Sequence, residues 1–209
     1  MMRAATVDPS HGNGPESLRF GHAERPVPGV GQLLIKVAAA GVNRADILQR
    51  QGTYPPPPGS SHTLGLECAG EVVEVGPGVN PSWRGRPVAA LVGGGAYADY
   101  CVADVNLVLD TDDRMSPITA AALPEALATL WMIFFHLGEL TADKTVLVHG
   151  GTGGIGSTAI QVARWRGCRV IATAGTPAKR ELLEQLGAAV SLDYRASDLA
   201  ESVLAATNG

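Results

Sequence analysis

The sequence predicts an α/β chain: a β-rich first part built of short strands and turns, followed by a doubly wound parallel sheet that stops before the sheet is complete. Residues 1–110 are rich in glycine and proline and carry short β-branched runs between turn residues, the pattern of strands in close succession. From Ser116 onward helix and strand patterns alternate, which implies parallel strands with helical crossovers. Within that alternation T-V-L-V-H-G-G-T-G-G-I-G (145–156) runs an apolar strand into a glycine-rich turn, and the amphipathic stretch 157–165 follows at once.

In the first part, strands are predicted over residues 32–38, 70–75, 87–91 and 97–102. Between the first two, residues 44–51 read as a helical turn or two, stopped before the run Pro55, Pro56, Pro57 and Pro58 because proline lacks the N–H a helix needs. A single proline tetrad is short for a polyproline ligand, so it reads as a rigid local spacer. Character changes near Met115. A long helix is expected over 121–137, then strand 145–149, helix 154–166, strand 169–173, helix 177–186, strand 189–192 and helix 197–206. The expected division is a first domain over 1–120 and a partial dinucleotide-binding domain over 121–209. A full dinucleotide-binding sheet has six strands and only three are legible, so residues 1–209 alone are expected to expose an unpaired edge, to be marginally stable and to catalyse poorly.

Composition narrows the function. With 209 residues and 45% hydrophobic content the chain can bury a core, which excludes a disordered class. A net charge of −4, a pI near 5.7 and scattered charges give no basic footprint for nucleic acid. Residues 1–9 lack the basic and apolar regions of a signal peptide, and no apolar run of membrane-spanning length is expected, so the reading is cytoplasmic with no membrane partner. Cys68, Cys101 and Cys168 are odd in number and without C-x-x-C spacing, and read as buried free thiols.

The glycine turn carries the chemistry. Gly150, Gly153 and Gly156, with Gly154 and Ile155 opening the helix, form a G-x-x-G-x-x-G spacing in which backbone N–H groups can approach a pyrophosphate at a positive helix N-terminus. A glycine turn without a ligand is the alternative, and the strand before and helix after weigh against it. An NAD site places an acid about 20 positions beyond the first glycine. Here the strand ends instead in Gly175, Thr176, Pro177, Ala178, Lys179 and Arg180. Small residues, the Thr176 hydroxyl and the Lys179 ammonium suit a 2′-phosphate, so NADPH is the expected cofactor. The alternative, that Lys179 and Arg180 only solvate a first helical turn, runs against the helix dipole.

Five segments together resemble the zinc-independent quinone oxidoreductases of the medium-chain dehydrogenase/reductase superfamily, nearest its stress-inducible group. They are N-R-A-D-I-L-Q-R-Q-G-T-Y-P-P-P-P-G (43–59), L-G-L-E-C-A-G (64–70), G-G-G-A-Y-A-D-Y (93–100), L-P-E-A (123–126) and H-G-G-T-G-G-I-G (149–156). The resemblance implies a GroES-like catalytic domain followed by an incomplete Rossmann domain. It implies that Asn43 and Tyr54 line the substrate and nicotinamide pocket, that Thr129 lies beside the nicotinamide ribose, and that Tyr194 and Gly175 complete the 2′-phosphate pocket with Lys179. Three have a plainer alternative: Asn43 ordering a turn, Thr129 a helix-interior residue and Tyr54 a rim aromatic. His149, on the strand before the cradle, reads as a packing or cofactor-neighbour residue rather than an acid catalyst. Full-length relatives are expected to be homodimers; the state of this chain is left open.

The superfamily's zinc enzymes carry G-H-E, where this chain has Gly65, Leu66 and Glu67, and Asp46 stands where a cysteine ligand is expected. No catalytic metal is therefore expected. Without one, hydride transfer suits an acceptor that is already electrophilic, a quinone or a conjugated enone, with the Tyr54 O–H donating to its carbonyl oxygen. An enoyl or alkenal double-bond reductase is the second reading. A non-catalytic short product, or a fragment of a longer enzyme, is the third.

Overall fold

The computed structural model describes residues 1–112 and 114–207; Asp113, Asn208 and Gly209, the last two being where the sequence stops, lie outside the described residues. Two compact units follow one another, Met1–Glu125 and Ala126–Gly209.

The first unit opens with an antiparallel pair, β1 (Met2–Val7) and β2 (Leu18–Ala23), in register Met2 to Ala23. A five-stranded antiparallel sheet follows, formed by β3 (Gln32–Ala40), β4 (Glu67–Val75), β5 (Pro87–Leu91), β6 (Tyr100–Asp104) and β7 (Val108–Asp110), in the order β6-β3-β4-β5-β7. Helix α1 (Arg44–Arg50) sits in the connection between β3 and β4. One face of the sheet is the core: Leu33 and Ile35, Cys68 and Val72, Val88 and Ala90, Cys101 and Ala103 alternate with period two and pack together. On the opposite face Ala69 and Ala89 meet Ala120 and Ala121, at the end of α2 (Pro117–Ala120). Small side chains on both partners let the helix lie close to the strands.

The expected long helix over 121–137 is corrected by the structure. Pro124 cannot donate into a continuing helix and crowds the preceding carbonyls, so α2 ends and α3 (Pro124–Leu130) starts afresh. A π-helical segment, Trp131–Leu137, follows and closes with the Gly138 N–H on the Ile133 carbonyl at 2.9 Å. The wider turn accommodates Trp131 against Phe135, ring centroids 4.7 Å apart, while Phe134 stays in the core. A second correction concerns the same stretch. Pro117–Leu137 is long and apolar enough to cross a membrane by length and composition, contrary to the expectation that no run is. Its buried residues serve protein cores: Ala120 that of the first unit, Leu130 and Phe134 that of the second.

The second unit is a three-stranded parallel sheet, β8 (Thr145–Val148), β9 (Arg169–Ala174) and β10 (Val190–Asp193), in the order β10-β9-β8. Helices α4 (Gly154–Trp165), α5 (Pro177–Leu186) and α6 (Leu199–Thr207) connect and cover it. The register sets Leu147 beside Ile171 and Ile171 beside Val190. Ile160 and Ala163 of α4 and Leu183 of α5 pack on Val148, Val170 and Ala172. Fully burying one such aliphatic side chain stabilises by about 1.5–3 kcal/mol. The order is that of the first half of a doubly wound dinucleotide-binding sheet, where the next strand would join the β8 edge.

Candidate functional site

In a parallel sheet every strand delivers its C-terminal end to the same edge, and the second unit gathers its candidate residues there. β8 ends at Val148, and His149 Nδ1 lies 3.2 Å from Thr173 Oγ1. Gly150 then takes φ +63, a left-handed conformation that side-chain-bearing residues resist. The turn is pinned by the Gly151 N–H on the Thr173 carbonyl (3.1 Å) and the Gly153 N–H on the Gly150 carbonyl (2.9 Å). Gly156, on the first turn of α4, is held against that loop: a Cβ there would overlap the Gly150 carbonyl oxygen and stand 2.7 Å from Gly151 Cα.

Gly154 is the opposite case. Nothing lies within 4 Å of where its Cβ would be, and no side chain caps the helix at Gly153. The first N–H groups of a twelve-residue helix therefore face open space beside a strand-turn junction. Ile155 is 37% exposed at the same end. A pyrophosphate fits that donor set: N–H groups without intrahelical partners, a positive helix end, and no Cβ between them and a ligand.

The ends of β9 and β10 meet because Asp193 pairs with Ala174. This brings Gly175 under Tyr194, where a Cβ on Gly175 would stand 2.7 Å from the Tyr194 hydroxyl oxygen. Thr176 N-caps α5, its Oγ1 accepting the Lys179 N–H at 3.3 Å, so Lys179 sits on the first turn with its side chain exposed. Of the two cations read from the sequence, Arg180 is committed elsewhere, its Nη1 bonding Asp193 Oδ2 at 2.7 Å. Sequence reasoning missed Arg195. Its guanidinium donates to the Gly175 carbonyl at 2.9 Å and to the Tyr194 hydroxyl at 3.5 Å, and lies 5.3 Å from the Tyr194 ring centroid. Asp193, an acid at this edge, is held below the usual carboxylate range by the Arg195 backbone N–H first and by the Arg180 charge next.

Asn43, in the first unit, is the N-cap of α1 and the centre of a buried polar network. Its backbone N–H donates to Asp46 Oδ2 at 2.7 Å, and its Nδ2 donates to Glu67 Oε1 at 2.8 Å. Asp46 Oδ2 also accepts the Tyr97 O–H at 2.7 Å, and Glu67 Oε2 accepts the Glu125 backbone N–H at 2.9 Å. Both acids are 3% exposed. Burial, then the bond to Asp46, then the charges of Asp46 and Glu67 push the Tyr97 hydroxyl well above its ordinary pKa. In the sequence, Glu67 and Tyr97 are met only as letters of family-like segments, with no role read for either; the available signal is a charged residue heading the apolar run E-C-A-G. Tyr54 lies in the loop after α1, 46% exposed, with no hydrogen bond among the described residues. Thr129, on α3 in the second unit, is half-buried.

Among the described residues no three His, Cys, Asp or Glu side chains are grouped to hold a metal ion. Leu66 is buried and offers no donor, and Asp46 already serves Asn43 and Tyr97. All three cysteines are free and buried, and Cys68 is pushed well upward, chiefly by its contact with Cys101.

The comparisons with known proteins agree with this architecture. Residues 29–113 match the family description "Alcohol dehydrogenase GroES-like domain", and residues 154–209 match "Zinc-binding dehydrogenase". The Escherichia coli quinone oxidoreductase solved with NADPH is 30% identical, with a TM-score of 0.85 over 100% of this chain and 63% of that one. The CurK enoyl reductase is 29% identical with a TM-score of 0.88, covering 100% of this chain and 64% of that one. Among curated proteins, the phthioceranic/hydroxyphthioceranic acid synthase of Mycobacterium tuberculosis is 37% identical over 194 residues, which are 93% of this chain and 9% of the synthase. The chain thus spans about two thirds of the solved relatives and a small part of the synthase. With a GroES-like unit, a glycine cradle on a parallel sheet and these relatives, the chain belongs to the medium-chain dehydrogenase/reductase superfamily of oxidoreductases.

Proposed function

We propose that the chain serves an NADPH-dependent reductase of quinones. The observation that carries the reading is the sheet edge. A phosphate cradle at Gly150, Gly153, Gly154, Ile155 and Gly156 stands on the same edge as Gly175, Thr176, Lys179, Tyr194 and Arg195, where cations and hydroxyls surround a glycine. The backbone N–H groups of the cradle hold the pyrophosphate. Lys179 and Arg195 supply positive charge for a 2′-phosphate, and Thr176 and Tyr194 supply hydroxyls.

NADPH, when bound, supplies the reducing equivalents, as a hydride or as electrons, for an electrophilic acceptor. Thr129 is assigned to the nicotinamide ribose. The Tyr54 O–H, which spends its proton on no described residue, is assigned to the acceptor's carbonyl oxygen, and Asn43 to the shape of the pocket around it. No metal ligand set is needed for such an acceptor, and the location assigned to the enzyme is the cytoplasm.

A second reading, an enoyl or alkenal double-bond reductase, is favoured by the similarity to the CurK enoyl reductase and to a stretch of the phthioceranic acid synthase. Oxidation of NADPH by the purified chain, measured with an ortho-quinone beside a 2-alkenal and an enoyl thioester, decides between them. Preference for the quinone supports the first reading, and preference for the thioester or alkenal replaces it with the second. Tyr54→Phe should lower turnover of the preferred acceptor without changing NADPH affinity; unchanged turnover would remove Tyr54 from the site.

A further inference from the structure

Glu67 is the first residue of β4 and lies among buried apolar neighbours, Leu66, Cys68 and Ala69. A carboxylate in such a place is costly unless its oxygens are engaged. Both are: Oε1 accepts Asn43 Nδ2 and Oε2 accepts the Glu125 backbone N–H, and neither bond belongs to the strand ladder. One side chain therefore joins the N-cap of α1 to the Glu125 backbone, within the first unit. Gly41 makes the room, since a Cβ there would overlap Glu67 Oε1. With Asp46 holding the Asn43 backbone N–H, Asn43 is clamped at main chain and side chain by two buried acids.

We infer that Glu67 is a positioning residue, which sets the orientation of the Asn43 amide through a carboxylate held between the Asn43 side chain and the Glu125 backbone of the same unit. The inference rests on the reading of Asn43 as a site residue. Only a carboxylate can accept on both oxygens, and the amide of a glutamine offers one acceptor and one donor. In Glu67→Gln the oxygen stays with the Glu125 N–H, which cannot rotate. The Asn43 amide must then turn over, presenting its oxygen where its nitrogen was. Gly41→Ala reaches the same end by displacement, leaving every hydrogen-bonding group present.

The test uses the 209-residue chain, ¹⁵N-labelled, as wild type, Glu67→Gln, Gly41→Ala and the exchange variant Glu67→Gln with Asn43→Asp. In the exchange variant the introduced glutamine accepts from the Glu125 N–H and donates to the introduced aspartate. The Asn43 side-chain amide resonance, identified by its loss in Asn43→Ala, should shift in both single variants. The kcat for quinone reduction should fall by about tenfold or more in both, with NADPH affinity and quinone KM within about twofold of wild type, and should largely return in the exchange variant. A purely structural role would lower the unfolding midpoint while leaving that resonance and the kcat per folded molecule in place. That result, or an exchange variant as slow as Glu67→Gln, overturns the inference. If the wild-type chain reduces no conjugated acceptor, the kcat comparison falls away, and the amide resonance decides for or against Glu67.

Discussion

Two glycines of the cradle, two residues apart, should respond to the same methyl group in opposite ways. At Gly156 an added Cβ meets backbone on two sides, the Gly150 carbonyl oxygen and Gly151 Cα at 2.7 Å, and neither can rotate away. Gly156→Ala must push α4 off the turn, and overpacking of this kind costs about 1–3 kcal/mol. At Gly154 the Cβ enters open space, and the backbone there is not left-handed. Gly154→Ala should leave stability unchanged or raise it by up to about 1 kcal/mol, because alanine loses less backbone freedom in a helix. Its methyl group, however, stands where a pyrophosphate would approach the first N–H groups of α4. Losing one charge-assisted bond there amounts to about 1.5–3 kcal/mol, or roughly ten- to a hundredfold in affinity. Urea unfolding and a fluorescence titration with NADPH separate the two quantities. The expected pattern is Gly156→Ala weaker in both, and Gly154→Ala weaker in nucleotide binding alone. Unchanged NADPH affinity in Gly154→Ala would refute the assignment of that helix end to the cofactor, and unchanged stability in Gly156→Ala would refute the close approach.

Lys179→Ala should weaken NADPH by about 1.5–3 kcal/mol and leave NADH nearly unaffected; equal losses for the two nucleotides would defeat the 2′-phosphate assignment. On the alkaline side, Tyr97 keeps its proton in the folded chain to a higher pH than the ordinary tyrosine value of 10.0. The unfolded chain releases that proton first, so stability should decline as pH rises past that value. Tyr97→Phe should flatten the decline, and a slope identical to wild type would show that another group causes it. On the acid side, Asp193 is lowered from its ordinary value of 3.8, so its contribution is present above that value and is lost as pH falls through its folded pKa. Asp193→Asn should remove that part of the acid transition in a pH-dependent unfolding series, and an unchanged transition would count against it. Elemental analysis should find no stoichiometric zinc, because Leu66 offers no donor and Asp46 is already engaged; a one-to-one zinc content would overturn the donor argument.

Elements bounded by local chemistry were legible to the residue. β5 begins at a proline, and α5 lies between the Thr176 cap and Gly187 in a left-handed conformation, so both match the predicted spans 87–91 and 177–186. Elements defined by a partner were not. β2 contains Arg19, Gly21 and an almost fully exposed Phe20, so it has no apolar face of its own, and only its pairing with β1 makes it a strand. The expected helix 121–137 starts only at Pro124, and its second half, from Trp131, widens into a π-helical turn that its helical composition does not announce.

The same distinction runs through the candidate site. Gly150, Gly175 and Tyr194 lie far apart in the sequence, yet parallel pairing obliges the ends of successive strands to share one edge, so a strand-by-strand reading could bring them together. What escaped it is charge in its pairing. Arg180 and Arg195 are equally basic in the sequence, but the register places Asp193 against Arg180, while Arg195 reaches Gly175 and Tyr194. Glu67 and Asp46 escaped for the converse reason. Acids usually mark a surface, and these two are buried because N–H and O–H donors from distant segments converge on them. Periodicity reports which side of an element faces the core, but it carries no record of which donors a buried acid will find. The part of the site that depends on such convergence, the clamp on Asn43, is therefore the part that only the folded arrangement discloses.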